Sequence, residues 1–456
     1  GSEIAPGPTF SLGALDSGDT SSGVPFMQLL SSRRWRAATA TAAVLALALT
    51  GCSSEESFSY TPPAQVDGPL PDDTVAAMQA AVDNALVSSG ATGAIVGVWA
   101  PWSGSWVAGI GTQDREGGAE LSTDMSFRIA DVTRLMTCDV LYALADRDVV
   151  ELDANVADYV SGVADMRDDG ITLLDLCNGT SGAGSSEGTV KSAWLNTPER
   201  VWSPLELAGF GLARERVAPH TTFRDSDAGY LLLGLALERA SGMTASELIA
   251  EYVTEPLALP DTSLPGPTPA VPGTGAVLDG HYLNAVEGGY DCAAPVDITK
   301  LSSSSGFTDS GVVSTITDLG RYAQAEAKQV LRTKEKPERF ADPLSAADGA
   351  ASWFQAAGGG YLVGSMIGQH GWTPGYATAA YSDPATGFTV AVVLNDSTAG
   401  AQFAQHLSWE LAAIASKAPA ADGQTAPEFG LPFTAEQYHQ TITDAAIACV
   451  APPAAE

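Results

Sequence analysis

The stretch Phe127-Arg128-Ile129-Ala130-Asp131-Val132-Thr133-Arg134-Leu135-Met136-Thr137 decides how this chain is read. From Asp131 to about Ala145 the residues Leu135, Met136, Val140, Leu141 and Leu144 recur as a buried helix requires. Two charges, Asp131 and Arg134, stand one turn apart at its start and so share a face. The carboxylate suits the positive end of the helix dipole, and the arginine keeps its proton at any working pH. The plain reading is an ion pair that stabilises a pocket.

Outward from that helix, Val75, Met78, Val82 and Leu86 recur at helical spacing, with Gly90 just past the end. Ala94–Trp99 and Trp106–Ile110 read as strands joined across Ser103-Gly104. Residues 150–345 are rich in helix and loop. They include the almost wholly apolar Ala228–Arg239 and a helix opened by the capping-box pattern Thr244-Ala-Ser-Glu247. Trp353–Leu394 returns to strand-like sequence, with Asp383-Pro-Ala-Thr-Gly387 as the turn between Tyr376–Ser382 and Phe388–Leu394. Ala401–Ala415 is expected as a helix on that sheet, Pro419–Pro432 as a linker and Phe433–Val450 as a short terminal helix. Strands at both ends with helices between them imply one sheet and an all-helical subdomain over about 150–345, an α/β (α+β) fold.

The 456 residues suffice for one large domain or two ordinary ones. A net charge of −32 argues against nucleic acid and anionic lipid as direct ligands. Met27 opens what reads as a bacterial export signal, with Arg33, Arg34 and Arg36 ahead of the apolar run Ala37–Leu49, too short to span a bilayer. Leu49-Thr50-Gly51-Cys52 resembles a lipobox cleaved before a cysteine that takes diacylglycerol. The expected divisions are 1–26 as a tag or early start, 27–51 as signal peptide, 52–73 as tether, 74–418 as the folded domain, and 419–456 as linker and helix. The domain is thus expected on the outer face of the bacterial cell membrane, lipid-anchored through Cys52. Cys138, Cys177, Cys292 and Cys449 remain, an even number that allows three disulfide pairings or free buried thiols. Five scattered histidines suggest no zinc site, and neither metal nor cofactor is expected. A basic run, Lys328, Arg332, Lys334, Lys336 and Arg339, reads as a solvated helix end, or alternatively as a dock for an anionic polymer or partner.

Further markers occur in order: Ile171-Thr-Leu-Leu-Asp-Leu-Cys-Asn-Gly-Thr-Ser-Gly182, Phe223 to Gly234, Glu255-Pro256-Leu257, Gly311-Val-Val-Ser-Thr-Ile-Thr-Asp-Leu319, and His370-Gly371 followed by Pro374-Gly375-Tyr376. Together they resemble the serine β-lactamase and penicillin-binding-protein superfamily, in its class C β-lactamase, DD-carboxypeptidase and esterase branch, over about residues 74–418. The resemblance implies a β-lactamase/transpeptidase-like fold, with an antiparallel sheet flanked by helices, and it favours a Cys138–Cys177 disulfide. It also implies acyl transfer by a serine at a helix N-terminus, a lysine one turn on, a helping tyrosine and backbone N–H groups for the oxyanion.

Asp131 stands at the serine position of that pattern and Arg134 at the lysine position. The Tyr-x-Asn motif falls on Asp225-Ser226-Asp227, and the third motif keeps His370 and Gly371 but has Trp372 at a position usually small. Asp131, Arg134, Asp225, Asp227 and His370 are therefore degenerate-site positions, and no catalytic residue is expected. Losing a hydroxyl nucleophile typically costs on the order of 10⁴–10⁶ in rate. Ser126, Ser181, Ser226 and Thr133 lie nearby, each suited to a turn, cap or helix role. Asp131, Asp225 and Asp227 are expected to converge on Arg134. Two carboxylates ~5 Å apart at an effective dielectric of ~20 repel by about 3 kcal/mol, so one holds a proton or a cation enters. The expected function is a non-catalytic binding or scaffolding lipoprotein with an envelope ligand or protein partner. A divergent hydrolase of ester or cell-wall substrates and a cation or small-solute receptor are the alternatives.

Overall fold

The computed structural model describes residues 58–450. Cys52, the export signal and the start of the expected tether lie outside them. The main sheet is built from β1 (Gly93–Ala100), β2 (Gly104–Gly111), β3 (Leu344–Ser345), β4 (Phe354–Ala357), β5 (Gly360–Val363), β6 (Met366–Thr373), β7 (Tyr376–Ser382) and β8 (Thr389–Leu394). Its order is β2-β1-β8-β7-β6-β5-β4-β3, antiparallel throughout. β1 pairs with β8 across almost 300 residues of chain, with Ala94 opposite Leu394 and Trp99 opposite Thr389. The whole of β7 and β8 is buried, because helices cover both faces of the sheet.

Helices that shape the sheet and the site include α1 (Asp72–Ser89), α2 (Val132–Asp146), α3 (Leu173–Asn178), α4 (Glu187–Asn196), α5 (Asp227–Ser241), α6 (Ile316–Ala327), α7 (Gln402–Ala415) and α8 (Ala435–Asp444). α1, α7 and α8 cover one face, around a core of Val82, Val96, Val392, Leu407 and Trp409. α2 and α6 cover the other, where Ile95, Leu135, Leu319, Tyr376 and Val393 pack together. α3 and α5 lie beyond α2 and extend this second core away from the sheet. The capping box at Thr244 and Glu247 is formed as its sequence pattern indicates.

Three segments differ from the sequence reading. The expected tether lies on the domain from Phe58 onward, with Tyr60 and Leu70 buried and the Leu70 N–H donating to Ser105 O at 3.1 Å. The 419–432 stretch also packs, through Phe429 against Trp102 and Phe388. Both carry an aromatic or leucine that gains from burial, which a free linker lacks. The segment 150–345 is not all helical: α6 packs on the sheet, and short strand pairs, His281–Tyr282 with Val296–Asp297 and Ala285–Val286 with Gly289–Tyr290, sit within it.

α2 is the central element, buried at every position from Val132 to Leu144. It is tied down by charge as well as by packing. Arg339, expected in a solvated basic run, is buried and pairs with Asp139 of α2 and Glu326 of α6, while its Nη2 donates to Leu135 O at 2.8 Å. A disulfide, Cys138–Cys177, joins α2 to α3, and a second joins Cys292 to Cys449. The first closes a loop of 39 residues between two helices that frame the cleft. A Cys138→Ala/Cys177→Ala variant should therefore lose about 2–4 kcal/mol in urea unfolding. A loss below about 0.5 kcal/mol would show that this link does not restrain the unfolded chain.

Candidate functional site

Ala130 adopts φ +50°, a left-handed conformation costly for a residue with a Cβ. It turns the chain from the short strand Phe127–Arg128 into α2 and leaves Asp131 at the turn. The Asp131 side chain does not cap the helix. It is directed at Arg134 instead, with Oδ2 3.2 Å from Nη2. Close beneath lies Gly371 of β6: a Cβ there would fall 2.2 Å from Asp131 Cγ, so only glycine allows this approach.

Arg134 is the centre of the site. Besides Asp131, its Nη1 meets Asp225 Oδ1 at 2.6 Å and its Nε donates to Asp309 Oδ1 at 2.8 Å. The Tyr230 ring of α5 lies 4.8 Å from its Cζ. The Arg134 and Asp131 side chains are only 3% and 9% exposed, whereas that of Asp225 is 59% exposed and forms the open side. Glu187, at the start of α4, completes the charge set through its interactions with Asp225, Asp309 and Arg134.

Each shift has a nameable cause. Burial pushes the Asp131 carboxyl well above its ordinary value, against the pull of Arg134. Burial likewise lifts Asp309 to about 6 and Glu187 to about 7, with neighbouring carboxylates adding to the effect on Glu187. Desolvation works against the Asp225 charge too, but Arg134 outweighs it and holds this carboxyl below the usual range. Arg134 loses by burial and gains more from its three acids, so its charge is fixed. A non-titrating cation held by two clearly raised acids and one lowered one cannot pass a proton as a lysine–serine pair does.

Two sequence-expected site residues lie elsewhere. Asp227 does not converge on Arg134: its Oδ1 accepts the Ser186 N–H at 2.8 Å, and its Oδ2 accepts the Ser186 hydroxyl. It occupies the first turn of α5, where an acid favours the dipole. His370 is turned to the far face of the sheet, because strand residues alternate and Gly371 takes the cleft side. Its ring stacks 4.7 Å from Tyr361, its Nδ1 lies 2.5 Å from Tyr381 Oη, and burial lowers its pKa to about 3. Asp309 and Glu187 stand where sequence reasoning placed nothing. Asp309 lies two residues before the Gly311–Leu319 marker, and nothing in the sequence set it apart. Glu187 carried no motif or pattern that set it apart in the sequence.

The four hydroxyls singled out from the sequence each hydrogen-bond to backbone. Ser126 Oγ donates to Pro272 O at 2.6 Å and Ser226 Oγ to Gly184 O at 2.7 Å. Thr133 Oγ1 accepts from Val312 N at 3.2 Å and Ser181 Oγ from Ala183 N at 3.3 Å. Among the described residues no three His, Cys, Asp or Glu side chains are arranged to hold a metal. The basic run lines a groove of about 580 Å³, but Arg332 is spent on Asp146, Lys334 on Asp148 and Lys336 on Glu338.

This fold, with an α2 N-terminus facing a glycine of an inner strand, defines a class of protein. The Beta-lactamase family model matches residues 74–413, and the chain belongs to that family, within the serine β-lactamase and penicillin-binding-protein superfamily. It is 30% identical over 207 residues to the D-alanyl-D-alanine-carboxypeptidase/endopeptidase AmpH of Escherichia coli (strain K12), a match covering 44% of this chain. The chain spans about half the length of that curated relative, 49%. Among solved structures it is similar to a D-stereospecific amidohydrolase from Streptomyces sp., with TM-score 0.60 and 21% identity over 72% of this chain and 95% of that one. The D-amino acid amidase of Ochrobactrum anthropi SV3 gives TM-score 0.60 and 20% identity over 71% and 92%.

The raised acids set a pH dependence. A carboxyl whose pKa is higher folded than unfolded binds its proton more tightly in the native state, so its stability contribution is present at low pH and fades as pH rises. For Glu187 the window runs from its ordinary 4.5 to about 7. Glu187→Gln should flatten the fall in melting temperature across that window, and parallel curves for variant and parent would contradict the assignment. Arg134→Met leaves three carboxylates without their cation and should cost about 3–5 kcal/mol at pH 8. The loss in urea unfolding should be smaller at pH 5, where Asp309 and Glu187 carry protons.

Proposed function

We propose that this chain is a non-acylating member of its family, whose cleft serves to bind or scaffold at the cell envelope. The observation that carries the proposal is the three-carboxylate hold on Arg134. Where the family pattern needs a hydroxyl and an amine that gives up its proton, this cleft has Asp131 and a guanidinium engaged at 3.2, 2.6 and 2.8 Å. An aspartate could attack an activated carbonyl, but its anhydride product is labile. The export signal and the Leu49–Cys52 lipobox support a lipid-anchored position outside the cytoplasmic membrane.

The charge balance also bears on the ligand. Three carboxylates, Asp131, Asp225 and Asp309, hold one guanidinium, and Glu187 adds a further acid within range of their charges. An incoming substrate carboxylate finds the Arg134 guanidinium already occupied, whereas an amine meets the open Asp225. This supports a cationic or amine-bearing ligand over a β-lactam. The alternative of a divergent hydrolase draws on the carboxypeptidase/endopeptidase name of the curated relative.

Incubation with a penicillin and, separately, with a fluorophosphonate, followed by intact-mass measurement, should give no covalent adduct. An adduct on any serine or on Asp131 would overturn the proposal. The pair Asp131→Ser with Arg134→Lys should not restore turnover of nitrocefin or a p-nitrophenyl ester, because Asp225 and Asp227 still replace the tyrosine and asparagine.

A further inference from the structure

From Ala213 to Ser226, ahead of α5, the chain forms neither helix nor strand, and none of residues 213–225 is buried. This segment carries Asp225, the open side of the Arg134 site. Phe223, half-buried, packs edge-on against Tyr361, and much of the remaining hold is polar. The N–H groups of Val217, His220 and Arg224 donate to the carbonyls of Gly182, Thr180 and Gly179 at 3.1, 2.8 and 2.9 Å. Arg216 pairs with Asp169, and its Nη2 donates to Ser181 O at 3.0 Å.

His220 lies in the middle of this segment at φ +66°, a left-handed conformation costly for a residue with a Cβ. Its Nδ1 is 3.1 Å from both carboxylate oxygens of Asp175 on α3, and its Nε2 is 3.0 Å from the Asp169 carbonyl. α3 is itself tied to α2 by the Cys138–Cys177 disulfide. A carbonyl oxygen can only accept. The Asp175 carboxylate already accepts from the Thr172 N–H and hydroxyl and from the Thr180 hydroxyl. Both ring nitrogens therefore need a proton, which only the imidazolium supplies; a neutral ring turns one lone pair towards an oxygen. The hydrogen bonds to Asp169 and Asp175 accordingly raise the His220 pKa above its ordinary 6.5, and these two acids are the charges that favour the cation. The Thr180–Gly182 stretch brings no charge. On the segment itself, Arg214 donates to Thr189, Arg216 is taken up by Asp169, and Arg224 donates to the carbonyls of Glu215 and Gly182.

We infer that His220 is a pH-sensitive latch: protonated on both nitrogens, it clamps the Asp225-bearing segment against α3 and the Asp169 turn, and losing one proton gives up one of the two contacts. The hold is complete below the ordinary histidine range and fades as pH rises above it. Mild alkali thus loosens the open side of the Arg134 site, whether that site binds or acylates.

Hydrogen exchange of the full chain at pH 6 and pH 8.5, read by mass spectrometry on peptides covering 216–225 and corrected for intrinsic rates, tests the latch. Protection there should fall about fivefold at the higher pH, as in a locally opening unit that loses a charge-assisted hydrogen bond, while α7 stays protected at both. His220→Gln should exchange at pH 6 as fast as the parent does at pH 8.5, and should lose the pH response. Arg216→Gln removes a cation that does not titrate, so it should loosen the same segment at both pH values and keep the response. Equal parent protection at the two pH values, or a response that survives His220→Gln or vanishes with Arg216→Gln, would overturn the latch.

Discussion

One guanidinium organises the cleft. Arg134 is 3% exposed and meets Asp131, Asp225 and Asp309 through three different nitrogens, with Tyr230 packed on its face. A buried arginine cannot shed its charge, so the fold must supply acids around it or leave it uncompensated. The reverse constraint applies equally: so many carboxylates within one cleft require either that cation or protons. The two demands together explain why Asp225 is held below its ordinary pKa while Asp309 and Glu187 rise above theirs. Each acid's state follows from how directly it reaches Arg134 and how far it is from water.

The framework around this centre is an ordinary one for its family, and it is rigid. α2 is fixed by the Cys138–Cys177 disulfide on one side and by Arg339 with Asp139 and Glu326 on another. β6 brings Gly371 so close to Asp131 that no larger residue fits. The ancestral shape that presents a helix N-terminus to an inner strand is therefore kept, while the groups presented there differ. Family membership fixes the fold; the chemistry rests on the particular side chains at positions 131, 134 and 225.

Much of this was legible in the sequence. Strand-like apolar runs on either side of the Asp383–Gly387 turn placed β7 and β8, and the recurrence of Leu135, Val140, Leu141 and Leu144 placed α2 as a buried helix. The Asp131–Arg134 pair and its Asp225 partner were readable from motif positions. Asp309 and Glu187 were not, since they come from the far side of the helical region and only the fold brings them near Arg134. His370 and Asp227 were misplaced for a related reason. Their neighbours Gly371 and Asp225 face the cleft, and alternation along a strand or entry into a helix turns the next polar residue away. Packed segments at Tyr60, Leu70 and Phe429 were hidden because single apolar residues in polar surroundings carry no periodicity.

The most direct measurement is a double-mutant cycle between Arg134 and Asp309, using Arg134→Met, Asp309→Asn and the pair, read as urea-unfolding free energies at pH 8. If the guanidinium and its acids form one unit, the two substitutions should couple by about 1–3 kcal/mol. Additivity to within about 0.5 kcal/mol would mean that the two charges stand independently, and the central claim would fail.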